Sequence, residues 1–335
     1  MTIDPLQIGE TLVEVIANEP LSLPSAADCN SPCWWSENGF NILTSTGHPI
    51  LSSGTDVEHL RPIGDVSFTA WRDGGRWIES VHQEPNGWLL GWYHNEPAGL
   101  CPGTHLTAPK IGATRSTDNG ATWRDLGIVL EAPPGALNCA TRNFYFAGGH
   151  GDFCIMADGG RRYLYFFFST YAGGAADQGV AVARMRFADR EQPVGKVWKW
   201  HSGKWKEPGL GGQATPIFTA AIDWHRADAD AFWGPSVHWN SHLQQYVMLL
   251  NRAIDKDWTQ EGVYVSYAAN LAPPERWTPP VKILGGLGKD RWYPQVIGLD
   301  PSRRETDKLA GRKARLFVRG ESRWELRFLR PGEPE

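Results

Sequence analysis

The sequence predicts an all-β chain folded as a five-bladed β-propeller, with an N-terminal strand closing the last blade. Three observations carry this expectation. Short segments rich in Val, Ile, Tyr, Phe and Trp recur between turns of Gly, Pro, Asn and Asp, and no long amphipathic helical pattern interrupts them. These segments group into five strand–turn–strand–loop–strand units, the grammar of propeller blades. The last unit ends one strand short, after Phe328, while Thr11–Ile16 forms a strand with no unit of its own.

In chain order the blades are expected at about 31–61, 64–130, 151–207, 234–284 and 293–329, closed by 11–16. The first runs from Ser31-Pro32-Cys33-Trp34-Trp35 to Ser52, and the second from Asp65-Val66-Ser67-Phe68 through Trp88–Tyr93 and Lys110–Ser116 to Leu130. The third opens at Gly151-Asp152-Phe153, the fourth at Gly234-Pro235-Ser236 and the fifth at Tyr293-Pro294-Gln295. No Ser/Gly-rich or charged spacer divides the chain, so 1–335 is expected to form one domain. A β-sandwich with irregular insertions is the competing architecture. Ser116-Thr117-Asp118-Asn119-Gly120-Ala121-Thr122-Trp123 fits the Asp-box pattern S-x-D-x-G-x-T-W, whose Asp and Gly shape a turn and whose Trp packs. That motif joins a third to a fourth strand, so Asp118 is assigned to structure.

Composition bounds the partners. With 33 Lys+Arg against 37 Asp+Glu the net charge is −4, and no block of like charge occurs, so nothing draws the chain to nucleic acid or an anionic membrane. No apolar run is long enough to span a bilayer. Met1–Pro5 lacks the features of a signal peptide, which points to the cytoplasm or to secretion with a leader removed. Five Cys are too few for a disulfide scaffold, and Cys29 and Cys33 lack a second pair at zinc spacing. No cofactor motif is present; a channel Ca²⁺ is compatible with the fold but has no ligand spacing behind it. The oligomeric state is not encoded in any visible pattern.

Propeller geometry sorts the polar residues, because innermost strands, second-to-third loops and inter-blade links all meet at one mouth of the channel. Asp65 and Asp152 follow a Gly at equivalent strand starts, and Glu96 opens the long loop to Pro109. Three carboxyl groups at one mouth suit glycosidic bond cleavage: one protonates the leaving oxygen, another stays ionised, and a third tunes the acid. Trp233, Trp292 and Tyr293 offer flat platforms for sugar rings, and His94, Arg142 and His150 offer hydrogen bonds. Arg252 and Asp255 lie in a further second-to-third loop.

The Gly-Asp-Val and Gly-Asp-Phe blade openings, the Tyr-rich second strands and Tyr93-His94-Asn95-Glu96 resemble the five-bladed glycoside hydrolases of the arabinanase, xylosidase and fructosidase clans. The resemblance implies Asp65 as base or nucleophile and Asp152 as the residue setting pKa and orientation. The acid of those enzymes is commonly the Glu of a Glu-Gly-Pro motif. Here the place reads Phe232-Trp233-Gly234-Pro235, so Glu96 is the expected acid, with Glu207, Asp230 and Asp290 in reserve. The implied partner is an oligo- or polysaccharide. A sialidase would instead need an arginine cluster, for which Arg61, Arg142, Arg252 and Arg319 are available. A carbohydrate-binding propeller without catalysis would need neither.

Overall fold

The structure is a computed structural model and describes residues 12–330. Five antiparallel sheets form the blades. Blade I holds Cys33–Ser36, Gly39–Ser45, Pro49–Gly54 and Leu60–Asp65, and blade II holds Gly75–Gln83, Leu89–Glu96, Lys110–Ser116 and Thr122–Leu130. Blade III comprises His150–Ala157, Tyr163–Thr170, Gly179–Arg186 and Val197–His201, with Lys204–Pro208 added at its outer edge. Blade IV comprises Ala231–Asn240, Gln245–Ala253, Gln260–Ala268 and Val281–Gly288. Blade V takes Pro294–Gly298, Lys313–Val318 and Glu321–Phe328, and its fourth strand is Val13–Ser22 from the N-terminus, paired antiparallel with Glu321–Phe328. The strand expected over 11–16 is therefore the closing strand; Thr11 itself lies outside the described residues.

The inner strands of each blade are covered on both faces by neighbouring blades, which is why they read as near-continuous apolar runs, whereas outer strands such as Leu60–Asp65 and Lys204–Pro208 are largely exposed. Trp34 and Leu43 of blade I pack on Ile78, Tyr93 and Trp123 of blade II. Trp92 and Ile111 of blade II meet Phe153, Phe166 and Phe168 of blade III on the other side. Val182 and Met248 share a cluster between blades III and IV, Val265 and Leu316 one between IV and V, and Phe317 and Phe40 one between V and I. Fully burying one such side chain contributes about 1.5–3 kcal/mol, so the ring is held by five interfaces of comparable kind.

Blade II departs from expectation. The segment after Gly64 is not its innermost strand: Leu60–Asp65 pairs with Pro49–Gly54 as the outer edge of blade I, and the innermost strand is Gly75–Gln83. Ser67–Phe68 is a two-residue strand running parallel to Thr122–Trp123. The Ser116–Trp123 turn joins the third and fourth strands of blade II. Asp118 accepts from the Thr122 amide at 2.9 Å, and the Trp123 indole donates to the Gly120 carbonyl at 2.9 Å.

Candidate active site at the channel mouth

The innermost strands of blades II, III and IV share one irregularity. Each loses register with its second strand, between Ile78 and Ser80, between Gly151 and Phe153, and between Trp233 and Ser236. A bulge frees one residue from pairing and re-aims its side chain. The freed residues are Glu79 in blade II, Asp152 in blade III, where φ is +42°, and Gly234-Pro235 in blade IV.

Strand alternation supplies the rest. In the second strand of blade II, Tyr93 faces blade I while Trp92, and with it His94 and Glu96, faces blade III. His94 therefore meets both bulged acids. Its Nδ1 lies 3.2 Å from Glu79 Oε1 and 3.8 Å from Asp152 Oδ1, and its Nε2 lies 3.1 Å from Glu96 Oε1, off the line of a hydrogen bond. The Asp152 amide points at Nδ1 from 3.1 Å. Glu79 accepts from the Phe153 amide at 2.7 Å, and the Asp152 carboxylate accepts from the Tyr293 hydroxyl at 2.9 Å and from the Tyr171 hydroxyl.

Glu79, His94 and Asp152 are almost wholly buried, whereas the Glu96 side chain is 28% exposed. Burial pushes Glu79 up to about 7, against the pull of His94. Burial works against the imidazolium of His94, yet Glu79, Glu96 and Asp152 outweigh it and hold the ring well above its ordinary value. Asp152 is also raised, by burial opposed by His94 and the two tyrosines.

A further acid arrives from the segment entering blade I. Asp28 is raised by burial, opposed by Arg319 and reinforced by Asp152 and Glu96. Its Oδ1 is out of solvent, makes no hydrogen bond, and has Arg319 at 3.8 Å; Asp290 lies 3.3 Å from the same guanidinium. Just below, Asn30 crosses the channel. Its amide donates to the Phe153 and Pro235 carbonyls at 3.0 Å each, and the Ser31 backbone exchanges two hydrogen bonds with the Gln295 side chain. With Glu79 on the Phe153 amide, all five blades are linked through this layer.

The remaining expected site residues are distributed unevenly. Asp65 stands outside the channel, at the end of the outer strand of blade I, 70% exposed and 4.0 Å from His48, and does not occupy the position of the expected base. His150 is buried beside Lys199, whose ammonium is 3.1 Å from Nε2 and donates to the Glu131 and Gly212 carbonyls, so His150 does not face the acids. Arg142 is exposed, and Arg252 is engaged by Asp230 through two hydrogen bonds of 2.7 Å, which also removes Asp230 as a reserve acid. Glu207 lies on the outer edge strand of blade III. Trp233 is fully buried with its indole on Gln260, and Trp292 donates to the Trp258 carbonyl beneath Arg319. Both belong to an aromatic cluster with Phe146, Tyr171, Trp224, Trp258 and Tyr293. Their rings pack on one another rather than face a ligand.

Glu79, His94 and Asp152 place ligand-type atoms within 4.8 Å of one another. Glu79 Oε2, both Asp152 oxygens and His94 Nδ1 each already face a protein donor. Ca²⁺ takes six to eight oxygen ligands, and this three-residue cluster centred on an imidazole nitrogen does not fit it.

No family model matches the chain, and no curated protein matches it. Solved structures do resemble it. A glycoside hydrolase superposes with a TM-score of 0.54 at 12% identity, over 96% of this chain and 94% of that one. An α-L-arabinofuranosidase from Lactobacillus brevis gives 0.52 at 11%, over 90% of each chain. A GH43 β-1,3-galactosidase in complex with galactodeoxynojirimycin gives 0.50 at 12%, over 91% and 93%. At such low identity the likeness is one of architecture: the chain has the five-bladed propeller fold in which these glycosidases are built.

Proposed function

We propose that the protein hydrolyses a glycosidic bond at this mouth. The observation that carries the reading is the junction of Glu96, the solvent-reaching acid of the His94 cluster, with Asp28 on the same rim. Asp28 holds its proton more readily than an ordinary aspartate and serves as general acid toward the leaving oxygen. Glu96, whose carboxylate lies 3.1 Å from His94 Nε2, serves as base toward water or as nucleophile. This reverses the role expected for Glu96 from sequence, where Asp65 was to supply the ionised group. Glu79 and Asp152 act behind His94, fixing its orientation and charge. Side chains alone carry this chemistry, and the substrate is an oligo- or polysaccharide.

The test is a panel of aryl glycosides and polysaccharides, with the anomer of any product followed by NMR. Asp28→Asn and Glu96→Gln are each expected to lower kcat by at least 10²-fold, in line with the usual contribution of general acid–base groups, and Asp65→Asn to leave it unchanged. Equal activity of all three variants would remove the assignment. The full burial of Glu79, His94 and Asp152, with Trp233 where a Glu-Gly-Pro acid is expected, favours a second reading: a propeller that binds glycans without cleaving them. Persistent glycan affinity with no sugar released from any substrate supports that reading instead. A sialidase is disfavoured, since Arg61 is on an outer strand, Arg142 is exposed and Arg252 is committed to Asp230.

A further inference from the structure

The turn between blades I and II carries Trp71, whose side chain is 85% exposed. An indole in water is the wrong place for so much apolar surface unless something covers it, because Trp is highly buried on average. The turn is not loose. Arg76 donates to the Ala70 carbonyl at 3.1 Å and stacks over Phe68, with its guanidinium carbon 3.7 Å from the ring centre. Asn95 donates to the carbonyls of Asp73 and Gly75 at 2.8 and 3.1 Å, and the Asp73 carboxylate accepts from the Ala98 amide at 3.1 Å. Gly74, at φ +83°, lies so close to the Glu96 carbonyl that a Cβ there would sit 1.8 Å from the oxygen. The turn bearing Trp71 is therefore clamped directly onto the strand end that presents Glu96.

Trp71 borders a groove of about 570 Å³ whose walls include Asp73, Asn95, Pro97, Lys110 and Asp125. Asn95 and Pro97 flank Glu96 in sequence, so the groove abuts the strand end that carries Glu96, on the blade I side of blade II. Arg72 pairs with Asp125 at 2.8 Å and Lys110 with Glu131 at 2.9 Å, the Asp73 carboxylate accepts from the Ala98 amide, and the lining charges Arg72, Asp73, Lys110 and Asp125 sum to zero. A groove with a flat exposed indole, amide and carboxylate acceptors and no net charge selects a neutral ligand with an apolar face and hydroxyl edges.

We propose that Trp71 and this groove form a distal subsite for a neutral polysaccharide, one of whose sugar rings stacks on the indole while the chain continues toward Glu96. The inference rests on the proposed function for its direction, but the binding itself is independent of catalysis. The experiment is affinity electrophoresis of the full chain in gels containing arabinan, galactan, xylan or β-glucan, comparing wild type, Trp71→Ala and Trp88→Ala. Trp88 is the control, because Arg115 already covers its ring at 3.8 Å. Wild type and Trp88→Ala are expected to be retarded by at least one of these polysaccharides, and Trp71→Ala to need about tenfold more of it for equal retardation. If an aryl glycoside is cleaved, Trp71→Ala is expected to cleave it at the wild-type rate. Equal retardation of all three proteins, or retardation by none of the four polysaccharides, overturns the subsite. Trp71-dependent retardation without any bond cleavage keeps the subsite and sinks the hydrolase reading.

Discussion

Asn30→Ala should weaken the whole ring, although the side chain is small and belongs to no inter-blade core. The substitution removes two buried hydrogen bonds of 3.0 Å, to the Phe153 and Pro235 carbonyls. Each neutral bond contributes about 0.5–1.5 kcal/mol net, and a carbonyl left buried without a donor costs about 1–3 kcal/mol. With part of that cost relieved by local relaxation, the loss comes to about 3 kcal/mol. Unfolding entropy of about 2.1 cal/mol/K per residue gives about 0.7 kcal/mol/K for 335 residues, so the midpoint should fall by about 4 °C. Asn30→Asp should fall further, since it aims an acceptor at two acceptors. Differential scanning calorimetry reads both, with Asn86→Ala as an exposed control that should move little. A change in Asn30→Ala below about 0.5 kcal/mol would refute the idea that the amide holds blades III and IV to the entry of blade I.

Two further outcomes can be measured on the same instrument. The Cys101–Cys139 disulfide closes 38 residues and ties the loop after Glu96 to the link between blades II and III; the chain-entropy relation gives about 4 kcal/mol for such a closure, so the double serine variant should melt about 5–6 °C lower, and an unchanged midpoint would show the staple to be idle. Lys199, brought down to about 7 by burial, binds a proton in the unfolded chain but not in the folded one between pH 7 and its ordinary value of 10.5, so its contribution makes stability rise across that window and leaves the penalty in full below pH 7; Lys199→Met should flatten the rise, and an unaltered slope would contradict it.

Much of the architecture was legible because a propeller repeats. Five copies of one strand grammar, and a strand left over at the start, specify the ring and its closure without any long-range information. The site was legible only where its residues sit on those repeats. Asp152 and Tyr293 stand at strand starts, and His94 and Glu96 at a strand end, so spacing alone brought them to one mouth. Asp65 failed because Gly64-Asp65 matches Gly151-Asp152 in spelling but closes an outer strand instead of opening an inner one. Its true counterpart, Glu79, sits within Trp77-Ile78-Glu79-Ser80-Val81, where the one available signal was an acid inside a strand otherwise destined for burial. Asp28 and Asn30 lie in a segment with no strand pattern and reach the channel only through tertiary closure. His150 was misplaced for a related reason: its partner, Lys199, comes from the far edge of the same blade. The Cys101–Cys139 pair could not be chosen from five cysteines by spacing.

The bulged position that recurs in blades II, III and IV has a consequence for direction. A perfectly repeating ring would show the same group at every blade and would leave a ligand several equivalent ways to sit. Here blades II and III spend that position on Glu79 and Asp152, while blade IV spends it on Gly234-Pro235 beside the indole of Trp233. The pseudo-symmetry is broken into an acidic side and an aromatic side, and Asp28 deepens the first while Trp292 and Tyr293 extend the second. The asymmetry lies beneath the mouth, where buried acids support one side of the ring and packed aromatic rings the other.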